Sequence, residues 1–181
     1  VQSGQLLRLD VVRCQPRPLA ARAGGKLAAA LGSPHARLDT LDLGHNNLGN
    51  DGGVALAASL HANTSLRTLN LEHNKLGDAA ATALAQALCT NLALRVLNLE
   101  RNSLRAEGGE ALAAALRDNR GLWHLNLRLN AVGDAGGQAM AAALASNTVL
   151  RSLEIQHNGI GEEARASVER AWVGRMGELK V

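Results

Sequence analysis

The sequence predicts an α/β solenoid, a right-handed βα horseshoe with a parallel sheet on its concave side and helices on its convex side. Three observations predict it. The frame L-x-x-L-x-L-x-x-N-x-L opens at Leu38, Leu66, Leu94, Leu122 and Leu150, each 28 residues after the last. An asparagine recurs in step at Asn46, Asn74, Asn102, Asn130 and Asn158, with an apolar residue two places on: Leu48, Leu76, Leu104, Val132 and Ile160. Each frame is then followed by an alanine-rich stretch with helical spacing.

The strand comes first in each unit. Apolar residues at the first, fourth and sixth places suit a short strand whose alternate side chains enter one core. The next copy satisfies its edge, so the sheet grows by one parallel strand per unit. The asparagine follows, where the chain leaves the sheet. Its amide both donates and accepts, so the five asparagines are expected to form a structural ladder along the turns.

The helix is read from the pairs Leu56 and Leu60, Leu84 and Leu88, Leu112 and Leu116, and Met140 and Leu144, four apart on one face. Alanine between them favours the helix and allows close approach of neighbours. Asn63, Asn91, Asn119 and Asn147 end these helices, a place where asparagine can adopt the left-handed conformation. Gly52-Gly53, Gly108-Gly109 and Gly136-Gly137 open helices and imply close packing there. Gly49, Gly77 and Gly133 follow the apolar residue, whereas Arg105 takes that place in the third unit and implies a different loop. Helices need about 10 Å of lateral room and strands about 4.8 Å, so the stack must curve with the strands inside.

Three segments follow. Residues 1–37 read as a degenerate first unit, with Leu6, Leu9 and Val11 as its strand, Leu27 and Leu31 as its helix pair, and all three prolines of the chain in its loops. Residues 38–149 are four regular units. Residues 150–181 hold the last unit and the C-terminal end, with Trp172 in a core-leucine place and Glu178 where another frame would start with Leu; either Trp172 and Val173 open an end cover or the chain continues against a partner.

The net charge is +3. Residues 1–37 hold six basic groups against Asp10, a balance of +5, and residues 38–181 hold thirteen basic and fifteen acidic groups, a balance of −2. No aromatic or Gly-Arg interleaving accompanies the basic start, and the chain has two Trp and no Phe or Tyr. A nucleic-acid partner is therefore not expected. No apolar run reaches membrane-spanning length, and no membrane partner is expected. Cys14 occupies the ladder place of the first unit and Cys89 a helix end; both read as free thiols, which fits an intracellular, reducing compartment. No signal peptide is visible, and the start at Val1 fits a fragment or a processed product.

The outward strand places supply the candidate binding surface. The fifth place of the frame carries Asp10, Asp42, Asn70, Asn98, Asn126 and Glu154, the seventh Val12, Gly44, Glu72, Glu100, Arg128 and Gln156, and the eighth Arg13, His45, His73, Arg101, Leu129 and His157. Paired carboxylates at Glu72 and Glu100 would suit acid–base chemistry, but an open sheet offers no pocket for it. His45 and His73 lack a third metal ligand at useful spacing. Neither cysteine has local support as a nucleophile, and the phosphate-loop spacing is missing. No catalytic residue, cofactor or metal is expected. The rows instead suit a protein surface, with Glu72, His73, Glu100, Arg101, Trp123, His124 and Arg128 as the concave-face partner-binding set and Trp123, Arg101 and Arg128 as its anchors.

The frame with its alanine-rich helix, spanning residues 6–172, resembles the ribonuclease-inhibitor-like leucine-rich repeats, a group that includes ribonuclease inhibitor, NOD-like receptor sensor domains and the GTPase-activating protein of Ran. The resemblance implies a non-enzymatic protein-binding scaffold that works within a larger assembly. One unit, Leu125-Asn126-Leu127-Arg128-Leu129-Asn130 with Asp134 and Gly136-Gly137-Gln138-Ala139, is similar to the T-complex-associated testis-expressed leucine-rich-repeat subunits of the nexin–dynein regulatory complex. That similarity implies an axonemal scaffold in the cytoplasm or the cilium. The alternatives are a ligand-sensing NOD-like receptor fragment and a Ran-type GTPase activator. Cysteine is sparse compared with ribonuclease inhibitor, no NTPase module accompanies the repeats, and the loop residues of Ran-type activation find no match.

Overall fold

The computed structural model describes residues 8–10, 31 and 37–181. Among these, seven three-residue strands follow one another: β1 Arg8–Asp10, β2 Thr40–Asp42, β3 Thr68–Asn70, β4 Val96–Asn98, β5 His124–Asn126, β6 Ser152–Glu154 and β7 Glu178–Lys180. They form one sheet in chain order, parallel throughout. Five helices connect β2 to β7: α1 Gly49–Leu60, α2 Asp78–Leu88, α3 Ala106–Asp118, α4 Gly133–Ser146 and α5 Glu162–Trp172. Each helix packs on the next, and each strand pairs with the next. This is the α/β solenoid that the 28-residue register dictates.

The core lies between the two layers. Leu41, Leu69, Leu97, Leu125 and Leu153 are in direct register across the sheet and fully buried. The helix pairs from Leu56–Leu60 through Met140–Leu144 face them and are buried too. Glycine lets the helices close in at their N-terminal ends. A Cβ on Gly53 would lie 2.6 Å from the Ala80 Cβ of α2, and one on Gly108 of α3 would lie 2.9 Å from the Ala81 Cβ of α2.

The five ladder asparagines stand in one file. The Asn74 amide nitrogen donates to the Leu43 carbonyl of the preceding unit (2.8 Å) and to Glu72 O (3.0 Å). Its Oδ1 accepts from the Asn46 and Leu48 N–H groups. Asn102 repeats this toward Leu71, Asn74 and Leu76, and Asn130 and Asn158 donate to Leu99 and Leu127. The residue before each is left-handed in every unit: His45 (62°), His73 (52°), Arg101 (54°), Leu129 (57°) and His157 (56°). That conformation costs roughly 1–2 kcal/mol at a non-glycine residue, and the ladder bonds it enables offset the cost.

Three expectations are corrected. First, Asn119 and Asn147 leave their helices extended (ψ 128° and 119°), not left-handed. They form a second ladder instead. Asn91, Asn119 and Asn147 each donate Nδ2 to two carbonyls of the preceding unit, and their Oδ1 accepts two N–H groups of their own loop. Extended backbone is needed to turn the amide back across the gap between units.

Second, the loop at Arg105 matches that at Gly77. Both are extended, with φ near −110° (−109° and −113°), and Gly49 and Gly133 differ from them with φ of 63° and 59°. The cause is a side chain one unit earlier. Asn50 Oδ1 accepts the Gly77 N–H, Asp78 Oδ1 accepts Arg105 N–H, and Asp134 Oδ1 accepts Gly161 N–H. The matching place before Gly133 is Ala106, which has no oxygen. The Gly133 N–H therefore turns to the Asn158 carbonyl (3.0 Å), and the backbone flips to a form that favours glycine.

Third, Glu178 does not open a frame. It pairs with Ser152 as the third place of β7, and Leu179 meets Leu153 after 26 residues. Arg175 makes the shortening possible. It stands 28 residues after Asn147, and its guanidinium donates to the Leu144, Asn147 and Leu150 carbonyls, closing the second ladder with the groups an asparagine would use. It stacks on the buried Trp172 (5.0 Å), which fills its core place. Val173 is 81% exposed and covers nothing. The expectations for Leu6, Val11, Val12, Arg13, Cys14, Leu27 and the prolines fall outside the described residues. Cys89 is a free, exposed thiol at the end of α2.

Candidate functional site

The sheet's open face is built from the third and fifth frame places, which alternate against the buried leucines. The third-place row runs Thr40, Thr68, Val96, His124, Ser152 and Glu178, and the fifth-place row runs Asp42, Asn70, Asn98, Asn126, Glu154 and Lys180. The fifth place has a local reason to be Asp or Asn. Its Oδ1 accepts the N–H two residues on, as at Asp42–Gly44, Asn70–Glu72, Asn98–Glu100 and Asn126–Arg128, and so shapes the turn leaving the sheet.

That turn delivers the seventh- and eighth-place side chains to the edge where strands pass into helices. Here Glu72 and Glu100 are not a free carboxylate pair. Arg101 lies 3.8 Å from Glu72 and 3.9 Å from Glu100, and Arg128 Nη1 lies 2.8 Å from Glu100 Oε1. Asn126 Nδ2 holds the other Glu100 oxygen at 3.1 Å, and His45 Nε2 stands 3.6 Å from Glu72. Each carboxylate is thus engaged by side chains of the neighbouring units instead of facing the other across an open site. His45 stacks on His73 at 4.8 Å. Among the described residues no three His, Cys, Asp or Glu side chains converge as metal ligands.

A second charged group lies at the C-terminal end of the face. His124 Nε2 is 3.6 Å from Glu154 Oε1, and Lys180 Nζ bridges Glu154 (3.3 Å) and Glu178 (3.2 Å). Burial pushes the His124 imidazole below its ordinary value, against the opposing pull of Glu154 and with help from Lys180. The hydrogen bonds that the Lys180 ammonium donates to Glu178 and Glu154 raise it above its ordinary range.

The expected set therefore divides. Glu72, His73, Glu100, Arg101 and Arg128 share the strand-exit edge, and His124 faces out from β5. Trp123 is not on the concave rows: it precedes β5 and alternates against His124, which places it on the opposite edge, where loops enter the strands. There it lies between Arg95 and Arg151 of the two flanking units, whose Cζ atoms sit 5.0 and 5.2 Å from its ring centre. This row of Arg67, Arg95, Trp123 and Arg151 escaped the sequence reading. Its signal was present, since the four residues share the second frame place and recur at the same 28-residue step.

Among the described helices none is long and apolar enough to cross a membrane. No curated protein matches the chain. Two solved structures align closely in fold. The tropomodulin C-terminal domain of Caenorhabditis elegans matches with a TM-score of 0.70 and 19% identity, over 82% of this chain and 90% of that one. The actin-binding site 2 of leiomodin-1 matches with a TM-score of 0.66 and 22% identity, over 82% of this chain and 86% of that one. The leucine-rich-repeat family model matches residues 38–57, 62–85, 90–113, 119–141 and 146–166. With five matched segments spanning most of the chain and the ladders that join them, the protein belongs to the leucine-rich repeat family.

Proposed function

We propose that the chain is a non-enzymatic scaffold that holds a protein partner on its concave face and exit edge. The observation that carries this reading is the network joining His45, Glu72, Arg101, Glu100 and Arg128 across four successive units. It fixes long side chains in place before a partner arrives, and preorganised polar groups give an interface specificity at reduced ordering cost. Partner-binding residues in this reading are Glu72, His73, Glu100, Arg101, His124 and Arg128, with Trp123 reached only by a partner that extends over the entry edge.

The finer reading is an axonemal subunit of the nexin–dynein regulatory type. It rests on the unit at Leu125–Asn130 and the residues after it, and on a cytoskeletal theme shared with the leiomodin-1 structure, which is named as an actin-binding site. Affinity capture from ciliated and non-ciliated cells, read by mass spectrometry, tests both levels. Recovery of regulatory-complex subunits from ciliated cells alone supports the axonemal reading, whereas actin in both points to a different cytoskeletal partner. Arg128→Glu reverses a charge at the C-terminal end of the network, beside Glu100, and should reduce capture about tenfold; capture unchanged by it removes the concave face from consideration.

A further inference from the structure

The charged side chains of the two edges are treated differently by the fold. On the exit edge Arg101 and Arg128 are held by Glu72 and Glu100. On the entry edge Arg67, Arg95 and Arg151 make no ion pair to any carboxylate among the described residues. Arg67 Nη1 donates to the Thr64 and Ala93 carbonyls and Arg95 Nη1 to Leu92 and Gly121, each bridging two units. These bonds aim the guanidinium groups and leave their remaining N–H groups unengaged. Arg151 is exposed, and Arg120 adds a further exposed cation one loop away.

Apolar surface lies among these cations. Trp123 is 43% exposed and Leu92 is 55% exposed. A cleft lined by Thr148, Leu150, Arg151, Gly174, Arg175 and Met176 opens beside Arg151. Because Arg95 and Arg151 come from the units on either side of Trp123, they cover both faces of the indole. A base needs an open ring face to stack on, so the arrangement disfavours a nucleic acid. A guanidinium laid flat on an aromatic ring instead keeps its N–H fork pointing outward, which matches the two oxygens of a carboxylate.

We propose that the entry edge, Arg67–Arg95–Trp123–Arg151, binds an extended acidic protein segment, with carboxylates on the guanidinium forks and apolar side chains over Leu92 and the cleft. This surface is separate from the concave face and would let the scaffold engage a second chain at the same time. Three unpaired cations within four successive units fit a run of Glu or Asp residues by charge, and the paired exit edge does not.

The test uses the full chain and a fluorescein-labelled glutamate-rich peptide, with fluorescence anisotropy as the readout. Binding should weaken as salt rises, fall about tenfold in Arg151→Glu, and stay within about twofold in Arg128→Glu on the other edge. Arg151 donates no side-chain bond to the backbone, so its variant should melt with the parent chain; Arg95→Lys keeps the charge without the fork and should weaken binding as well. Equal losses from Arg128→Glu and Arg151→Glu, or no binding at low salt, overturn the proposal. So does tighter binding of a single-stranded oligonucleotide or of phosphatidylserine vesicles than of the peptide.

Discussion

At the residue scale, His124 shows how packing changes the chemistry of a side chain on the open face. Its neighbours Glu154, Lys180 and Glu178 are contributed by two other strands. Burial holds its folded-state pKa below the ordinary value near 6.5, so the unfolded chain takes up the proton first as the medium is acidified. Between those two pKa values the unfolded state carries more protons, and stability declines as pH falls below the ordinary value. His124→Gln should flatten that slope when urea melts are compared at about pH 7.5 and about pH 5.5. An unchanged slope would place its origin elsewhere. The third-place position of His124 could be read from spacing, but its buried surroundings could not, because Lys180 arrives from a strand whose register departs from 28.

At the scale of the element, the helices are capped from outside. None of the five receives a side-chain bond from its own N-cap residue. The acceptor for α2 is Asn50 and for α3 is Asp78, each one unit earlier. Asp78→Ala should cost about 1 kcal/mol, as loss of an N-cap does. Ala106→Asp should stabilise by a similar amount, and in that background Gly133→Ala should become tolerated because the loop no longer needs a positive φ. Thermal melts of the single and double variants, read as a cycle, check the coupling. The strands, the helix faces and the first asparagine file were legible because each follows a local period. The outside caps and the second file were not, since their bonds span 27 to 31 residues and a helix-ending asparagine has a local explanation that competes.

At the scale of the whole molecule, stability is a sum over units and their interfaces. Deleting residues 94–121 removes one unit and leaves every frame in step, so Leu122 would follow Ala93 as Leu94 does. The shortened chain should fold cooperatively, melt at a lower temperature and show a urea m-value reduced in proportion to the chain removed. Loss of the cooperative transition would mean that the central unit holds something its neighbours lack. The entry-edge row would survive the deletion, with Trp123 then lying between Arg67 and Arg151. The C-terminal end was only partly legible. Trp172 declared itself by standing in a leucine place, whereas the shortened last step depends on an arginine doing the work of an amide.

Both files of amides reach backward, each side chain grasping the main chain of the unit before it. The assembly therefore has a heading, like a row of railway carriages coupled by hooks fitted only to their front ends. A duplicated block dropped anywhere in the gene arrives with its own hook and finds a waiting bar. Where the step shortens before β7 a single arginine, Arg175, serves as the hook, so the number of units is a quantity that evolution can change without redesigning a joint.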